Sequence, residues 1–270
     1  MRIDEAGCGG TPFLFAPDGR SVVAHSHRET PTQGLGVYSL TEANWVGVPL
    51  RHRPPDFLLW SPGGQTLMIG NTTFTYASDG TPRYTLSDAF YRVADGQPAT
   101  PFLTRQPATG PEGRLQYHRH ATISPDGRRA VTYSFGLLHV YDLPADRLVK
   151  EVTLPIDHSK PGLFTPDGSR FLVWSHFKIY ALDLDTGKVA LAYPACPRAV
   201  HGATLTPDGR HLLQVSADRT VRVLDVATGQ LVKDYAWSAG KLAAVAVSPD
   251  GLLAACGGTG GKVVVWDLDL

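Results

Sequence analysis

A four-residue turn motif recurs six times along this 270-residue chain and constrains its fold more than any other feature. Each copy is a small residue, then Pro, then Asp or Gly, then Gly. The copies begin at Ala16, Ser61, Ser124, Thr165, Thr206 and Ser248. Their prolines are 45, 63, 41, 41 and 42 residues apart, so four of the five intervals share one period. Because Pro presets φ and Gly accepts a positive φ, each copy predicts a tight turn.

Short runs of β-forming residues flank these turns. Leu242–Val247 precedes one turn, and residues 211–215 follow another. A third run, such as Thr220–Asp225, ends at an aspartate and is followed by a polar turn and a fourth run. Four antiparallel strands per repeat, with no sustained 3.6-residue periodicity, predict an all-β fold with almost no helix. A single β-propeller over residues 1–270 fits this pattern.

The last two repeats carry the residues of a known family. Residues 263–267 read Val-Val-Val-Trp-Asp, and Asp218 precedes a similar strand at the position of a turn acid. On these motifs the chain resembles the WD40-repeat family over nearly its whole length, which implies a propeller whose loops bind other proteins. The sequence departs from the family pattern at Cys196 and Ser238, where the family has His, at Leu224, where it has Trp, and at Gly260-Gly261, where it has the turn acid.

The longest interval between turns decides the number of blades. It has about 21 residues more than the common period, which is half of a blade, and it carries Asp-Gly turns. We therefore expect six four-stranded blades with an inserted hairpin near residues 87–106; a seventh, half-sized blade is the alternative. The last repeat ends as a third strand, so we expect either a short closing strand within residues 1–4 or a weakly closed ring. An edge left open would favour pairing with another chain.

Composition excludes several classes of protein. The 25 Lys and Arg balance the 25 Asp and Glu, so no bulk attraction to nucleic acid is expected. The sequence has neither a run of about 18 apolar residues nor the basic-then-apolar start of a secretory signal. Three cysteines at unrelated spacings, Cys8, Cys196 and Cys256, favour reduced thiols. We therefore expect a cytoplasmic protein that binds neither membrane nor nucleic acid.

Motifs for catalysis are incomplete. The glycine-rich run 257–262 lacks the first Gly of a phosphate loop, and Val263 stands where Ser or Thr should follow the Lys. His118 and His120 share a strand face without a nearby third ligand for a metal. The prediction is a non-catalytic protein without cofactor or metal. The alternatives are a propeller enzyme of the lactonase or hydrolase kind with a channel site, and a sensory or regulatory domain of a signalling system.

The loops that join the fourth strand of one repeat to the first strand of the next are basic. They hold seven Lys or Arg against three acids. In a propeller these loops share one face, which the family resemblance marks as a binding face. We therefore predict a scaffold that binds a protein or peptide segment there, with an acidic segment as the best fit, and leave the oligomeric state open. The predicted partner-binding residues are Arg53, Tyr117, His118, Arg119, Lys160, Arg198, His201, Trp237 and Lys241.

Overall fold

A computed structural model places the strands of the chain. It describes residues 14–16, 19–26, 34–47, 57–76, 78, 82–94, 96–105, 108–109, 115–116, 120–134, 136–154, 162–237 and 239–270. Within these ranges the regular structure consists of 24 β-strands, and there is no helix. In the same ranges no helix is long and apolar enough to cross a membrane.

The first half of the chain forms three sheets and a short ribbon. Sheet 1 contains β1 (Leu14–Phe15), β2 (Ser21–Ser26), β3 (Gly34–Ser39) and β4 (Asn44–Gly47). Sheet 2 contains β5 (Phe57–Trp60), β6 (Thr66–Tyr76) and β7 (Pro82–Arg92). The ribbon pairs β8 (Ala108–Thr109) with β9 (Leu115–Gln116). Sheet 3 contains β10 (His120–Ile123), β11 (Arg129–Ser134), β12 (Leu137–Asp142) and β13 (Arg147–Thr153).

The second half forms three more sheets of the same antiparallel order. Sheet 4 contains β14 (Leu163–Phe164), β15 (Arg170–Trp174), β16 (Ile179–Asp183) and β17 (Lys188–Ala192). Sheet 5 contains β18 (Val200–Leu205), β19 (His211–Ser216), β20 (Thr220–Asp225) and β21 (Leu231–Ala236). Sheet 6 contains three strands, β22 (Leu242–Val247), β23 (Leu253–Gly258) and β24 (Val263–Asp267). In every sheet each strand pairs with the next along the chain.

Consecutive sheets stack face to face through alternating apolar residues. In β15, Phe171 and Val173 are fully buried against sheet 3, while Leu172 and Trp174 pack against sheet 5. Such alternation is what a strand with both faces covered requires, because successive side chains point to opposite faces. Five apolar clusters join the six sheets in chain order. The fold is therefore the predicted all-β propeller; the number of blades stays a prediction.

The stretch around residues 87–106 belongs to sheet 2. Its first part is the second half of β7, which pairs with β6 over eleven residues of each strand. The chain then turns back at Gly96, and residues 97–99 pair with Phe90 and Arg92 through backbone hydrogen bonds. Leu103 is 1% exposed in the interface with sheet 3. The long interval in the sequence therefore contains the extended β6–β7 hairpin and a short segment, residues 97–99, that pairs with β7 in the position of a fourth strand. The strand expected within residues 1–4 lies outside the described residues.

Each complete turn motif is closed by its own hydroxyl and carboxylate. In one copy the Thr206 hydroxyl donates to Asp208 Oδ1 at 2.6 Å and accepts the backbone N–H of His211 at 3.0 Å. The backbone N–H of Arg210 donates to the same carboxylate oxygen at 3.0 Å. One hydroxyl thus links the turn to the start of the next strand.

Three other copies make the same set of bonds, at Ser124, Thr165 and Ser248. The copy at Ser61 keeps the hydroxyl bond, from the backbone N–H of Thr66 at 3.0 Å, but Gly63 supplies no carboxylate. The motif therefore acts as a repeated clasp between the first two strands of a sheet.

The turns of neighbouring sheets also touch. A Cβ built on Gly127 would lie 2.5 Å from Cβ of Pro62 in the preceding turn, and one on Gly209 would lie 2.9 Å from Cδ of Pro166. Both glycines have a φ of +70°. Glycine is therefore required at both positions for two reasons. It adopts the positive φ, and it leaves room for the proline of the preceding turn.

We predict that Gly127→Ala destabilises the fold more than Gly251→Ala. Both replacements place Ala at positive φ, which costs about 1–2 kcal/mol. Only Gly127→Ala also forces a clash, since a Cβ at Gly251 would meet Pro207 at an ordinary 3.5 Å. Overpacking costs about 1–3 kcal/mol, so the free energies of unfolding in urea should differ by at least about 1 kcal/mol. Equal losses would show that the turns do not press against each other.

The clasps also predict how stability depends on pH. The Ser or Thr hydroxyl bond is the largest cause that lowers the pKa of the four turn carboxylates, Asp126, Asp167, Asp208 and Asp250. A carboxylate whose folded-state pKa is depressed stabilises the fold above its unfolded-state pKa of about 4, and this contribution is lost as pH falls through the folded-state pKa.

Replacing these four carboxylates by Asn should therefore lower stability at pH 7 and flatten its fall as the pH drops below the unfolded-state pKa of about 4, measured as the urea midpoint. A control variant replaces the exposed Asp234 and Asp269, which lie outside the turns, by Asn. It should keep the pH dependence of the natural protein. A four-Asn variant that also keeps it would refute the stabilising role of the clasps.

Candidate functional site

The loops at the end of the sheets opposite the turn motifs form one continuous surface in sheets 4 to 6. We call this surface the loop face and define it as residues 175–178, 193–199, 217–219, 237, 239–241 and 259–262. It includes the loops between second and third strands as well as those between one sheet and the next. Since both kinds of loop leave the sheets at the same end, their side chains share a surface.

Backbone hydrogen bonds hold these loops together. The N–H of Val200 donates to the carbonyl of His176 at 2.6 Å, and the N–H of Ala217 donates to the carbonyl of Ala199 at 2.9 Å. The loops of sheet 6 are joined in the same way, from the N–H of Thr259 to the carbonyl of Lys241 at 2.9 Å. The loop face therefore has a fixed backbone from which its side chains project.

The loop face is basic. It holds five Lys or Arg, which are Lys178, Arg198, Arg219, Lys241 and Lys262. Its one acid, Asp218, is bonded to a sixth cation, Arg222 of β20, with Nη2 2.6 Å from Oδ2.

The turns at the other end of the same sheets have the opposite balance, with four acids against one Arg: Asp167, Asp185, Asp208, Asp250 and Arg210. The two ends of these sheets therefore carry opposite charge.

The structure describes four of the nine residues predicted to bind a partner. Arg198 and Lys241 are exposed on the loop face. His201 is half-buried, and its Nδ1 lies 2.8 Å from the carbonyl oxygen of Leu242, so its ring links sheet 5 to sheet 6. Arg53, Tyr117, His118, Arg119 and Lys160 lie outside the described residues.

Trp237, the fourth described residue, is mainly part of the packing between sheets 5 and 6. Its ring stacks on Tyr235, with centroids 5.8 Å apart and an interplanar angle of 9°, and lies 5.6 Å from the ring of Trp266. The indole is half-buried, so only part of its surface is accessible to a partner.

Other members of the loop face were missed in the sequence because they lie in loops between second and third strands. Phe177 is 53% exposed and stands beside Lys178. Arg219 is exposed with a φ of +74°, in the left-handed region that a non-glycine residue rarely adopts. The signal was available, because the same repeat spacing that locates the other loops also locates these.

A polar network that includes Cys196, Asp218 and Arg222 lies beneath the loop face. Cys196, which stands where the family has His, accepts bonds to Sγ from Gln214 Nε2 at 3.2 Å and Arg222 Nη1 at 3.5 Å. Burial raises the pKa of the Cys196 thiol, although Arg222 opposes this. Burial alone would raise the pKa of Asp218, but hydrogen bonds from Arg222 and Thr220 outweigh it and lower that pKa. Arg222 thus supplies the charged partner of Asp218.

No metal-binding group can be assembled from the described part of the chain, where no three His, Cys, Asp or Glu side chains come together suitably. The chemistry of the loop face is therefore that of cations and one exposed aromatic ring. Such a surface attracts carboxylates and other anions, and Arg and aromatic side chains are frequent anchors of protein interfaces.

We predict that Asp218→Asn destabilises the fold by about 1–3 kcal/mol, because it leaves the Arg222 guanidinium without its carboxylate where both side chains are at most 20% exposed. Arg222→Met removes the other partner. If the two charges depend on each other, the double variant should lose less stability than the sum of the single variants in urea unfolding. Strict additivity would contradict the pairing.

Comparison with known proteins supports the fold assignment. The family model of the WD domain, G-beta repeat, matches residues 229–267, which run from the turn before β21 to the end of β24. The human WD repeat-containing protein 36 is 26% identical over 147 residues, which are 53% of this chain and 16% of that protein. The chain therefore spans about one sixth of the length of this curated relative. WD-repeat proteins are generally scaffolds for protein interaction. Residues 229–267 are therefore similar to one WD domain, G-beta repeat, and the repeated antiparallel sheets agree with the fold that this similarity indicates.

Proposed function

We propose that this chain is a non-catalytic scaffold that binds an acidic segment of a partner protein on the loop face. The observation that carries the proposal is the separation of charge, with five cations against one paired acid at this end of sheets 4 to 6. A partner that carries Asp and Glu would be attracted to this end and repelled from the turn end. The sign of the charge therefore selects both the partner and the face.

Three features make the loop face suitable for binding. Its backbone is fixed by hydrogen bonds between loops, so little order has to be gained on association. Arg198 and Arg219 are exposed and can reach a ligand without disturbing the core. Phe177 adds an exposed apolar ring next to the cations, against which an aliphatic or aromatic residue of the same segment could pack.

The cytoplasmic location expected from the sequence is part of this proposal. The free thiols of Cys196 and Cys256 support it, since an oxidising compartment favours disulfides. We propose a protein and not a nucleic acid as the partner, because a net charge of zero gives the whole molecule no general attraction to nucleic acid.

We predict that Arg198→Glu/Arg219→Glu weakens the binding of a Glu- and Asp-rich peptide at least tenfold, mainly through slower association. The matched control is Arg128→Glu/Arg210→Glu, which makes the same change in net charge with two exposed residues at the turn end. This control should bind almost as tightly as the natural protein. Fluorescence anisotropy and stopped-flow measurements separate affinity from rate.

The affinity should also fall as salt is raised from about 50 to 300 mM, because exposed charges are screened over about 8 Å at physiological ionic strength. If the loop-face variant binds normally and the control does not, the binding surface is at the turn end. Tighter binding of single-stranded RNA or DNA than of the peptide would overturn the proposed partner class.

A further inference from the structure

Arg219 stands in a turn of the loop face that glycine forms in the next sheet. In sheet 5 the N–H of Arg219 donates to the carbonyl of Ser216 at 3.1 Å and closes the turn between β19 and β20. In sheet 6 the N–H of Gly261 donates to the carbonyl of Gly258, also at 3.1 Å, and closes the equivalent turn. The φ of Arg219 is +74° and that of Gly261 is +66°. Because glycine adopts this conformation without steric cost, Arg219 makes the turn less stable than glycine would.

The fold gains no side-chain bond from Arg219 in return. Within the described residues its guanidinium makes neither a hydrogen bond nor an ion pair. The acid beside it, Asp218, is already engaged, because Oδ2 accepts a bond from Arg222 and Oδ1 accepts the hydroxyl of Thr220, both at 2.6 Å. Asp146, which also has a positive φ, instead accepts two bonds from a neighbouring segment. Backbone strain that no internal bond offsets is typical of functional positions.

A second arginine is anchored on the same residue as the first. Ser216, which is fully buried, donates its hydroxyl to the carbonyl of Arg198 at 3.1 Å, and its own carbonyl accepts the N–H of Arg219. The N–H of Ala217 donates to the carbonyl of Ala199 at 2.9 Å. Arg198 is exposed and, like Arg219, has no side-chain partner in the part of the chain that the structure describes. Two unpaired guanidinium groups therefore project from adjacent loops whose backbones are fixed to each other.

The loop of Arg198 is also fixed on its other side. The N–H of Cys196 donates to the carbonyl of Phe177 at 2.8 Å, and the N–H of Val200 donates to the carbonyl of His176 at 2.6 Å. The exposed ring of Phe177 and the two arginines thus stand on three loops joined in series by hydrogen bonds. Little backbone order has to be gained when a ligand binds to them.

We infer that Arg198 and Arg219 together bind one phosphate group, carried by a phosphorylated Ser or Thr of the partner segment. The inference rests on the proposed function and makes its ligand more specific. A carboxylate occupies one guanidinium through its two oxygens, whereas a phosphate monoester has three acceptor oxygens and a charge of about −2 at pH 7. One phosphate can therefore satisfy two guanidinium groups at once.

The choice of residues on the loop face supports a phosphate. Arginine presents a planar fork of donors that matches phosphate oxygens, while lysine acts as a point charge. The two cations anchored on Ser216 are both arginines. The other cations that define the loop face are lysines, namely Lys178, Lys241 and Lys262.

The one acid of the loop face does not oppose a doubly charged group. The Asp218 side chain is 15% exposed, and its charge is balanced by Arg222, whose Nη2 lies 2.6 Å from Oδ2. The potential around the two exposed arginines is therefore set by cations. An incoming phosphate meets no unpaired carboxylate at this site among the described residues.

Three peptides that differ at two positions test the inference. One acidic sequence carries Ser-Gly, phosphoserine-Gly or Glu-Glu there, so the second and third peptides have nearly the same charge. Fluorescence anisotropy with the natural protein should show the phosphoserine peptide binding about tenfold more tightly than the Ser peptide. It should also bind about threefold more tightly than the Glu-Glu peptide, because charge alone does not reproduce the geometry of phosphate.

Arg198→Lys/Arg219→Lys keeps the net charge and removes the planar forks. This variant should lose most of the preference for phosphoserine over Glu-Glu, while its affinity for the Ser peptide changes less than about twofold. The matched control is Lys241→Gln/Lys262→Gln, which removes two exposed cations from the same face. It should weaken all three peptides to a similar extent and keep the preference for phosphoserine.

Unfolding measurements separate a binding role of Arg219 from a structural one. Arg219→Gly should leave the melting temperature unchanged or raise it, because glycine suits the positive φ, and it should remove the preference for phosphoserine. Gly261→Ala should lower the melting temperature by about 2–4 °C. A Cβ on Gly261 would meet no atom within 4 Å, so this variant tests the backbone conformation alone.

A phosphoserine peptide that binds no more tightly than the Glu-Glu peptide would overturn the inference and leave the proposed function standing. Failure of all three peptides to bind would overturn both. A melting temperature that falls by several degrees in Arg219→Gly would show that the side chain serves the fold, which also contradicts the inference. The same conclusion would follow if vesicles containing phosphatidylinositol phosphates bound more tightly than the phosphoserine peptide.

Discussion

The hydrogen bond between a Ser or Thr hydroxyl and the Asp two residues later is the interaction on which the rest of this fold depends. In four turns the hydroxyl bonds the carboxylate and also the first paired residue of the next strand. The turn is thereby fixed to its sheet. Because turn glycines such as Gly127 approach the proline of the preceding turn, the same element also sets the distance between sheets. A local sequence motif is in this way converted into a regular stack of sheets.

As a result, the two ends of the sheets differ in what constrains their residues. The turn end is constrained by its clasps and by contact between neighbours, and its carboxylates are engaged in structure. The loop end carries no such motif, so its length and composition are free to serve binding, and here it is basic. The charge separation that supports the proposed binding of an acidic segment is thus a consequence of how the repeat is built.

Much of the fold could be predicted from the sequence because its determinants are local. Pro and Gly specify each turn, and alternating apolar residues specify strands covered on both sides. The strands of sheet 2 were harder to predict. A hairpin of eleven-residue strands, followed by a returning segment at 97–99, looks like two separate hairpins in the sequence. The bonding of Asp218 to Arg222 was also missed, because it depends on how the side chains beneath the loop face pack. Trp237 and His201 were expected in the site, but only packing reveals how far their rings are engaged within the fold.

Hydrogen exchange at single-residue resolution provides the most direct test of the clasps. The backbone N–H groups of Arg129, Arg170, His211 and Leu253 each donate to a turn hydroxyl. If these bonds organise the sheets, the four amides should exchange only as slowly as the core amides of β15 and β19, through global unfolding. Exchange of these amides at the rate of exposed loops, while the core strands stay protected, would contradict the account.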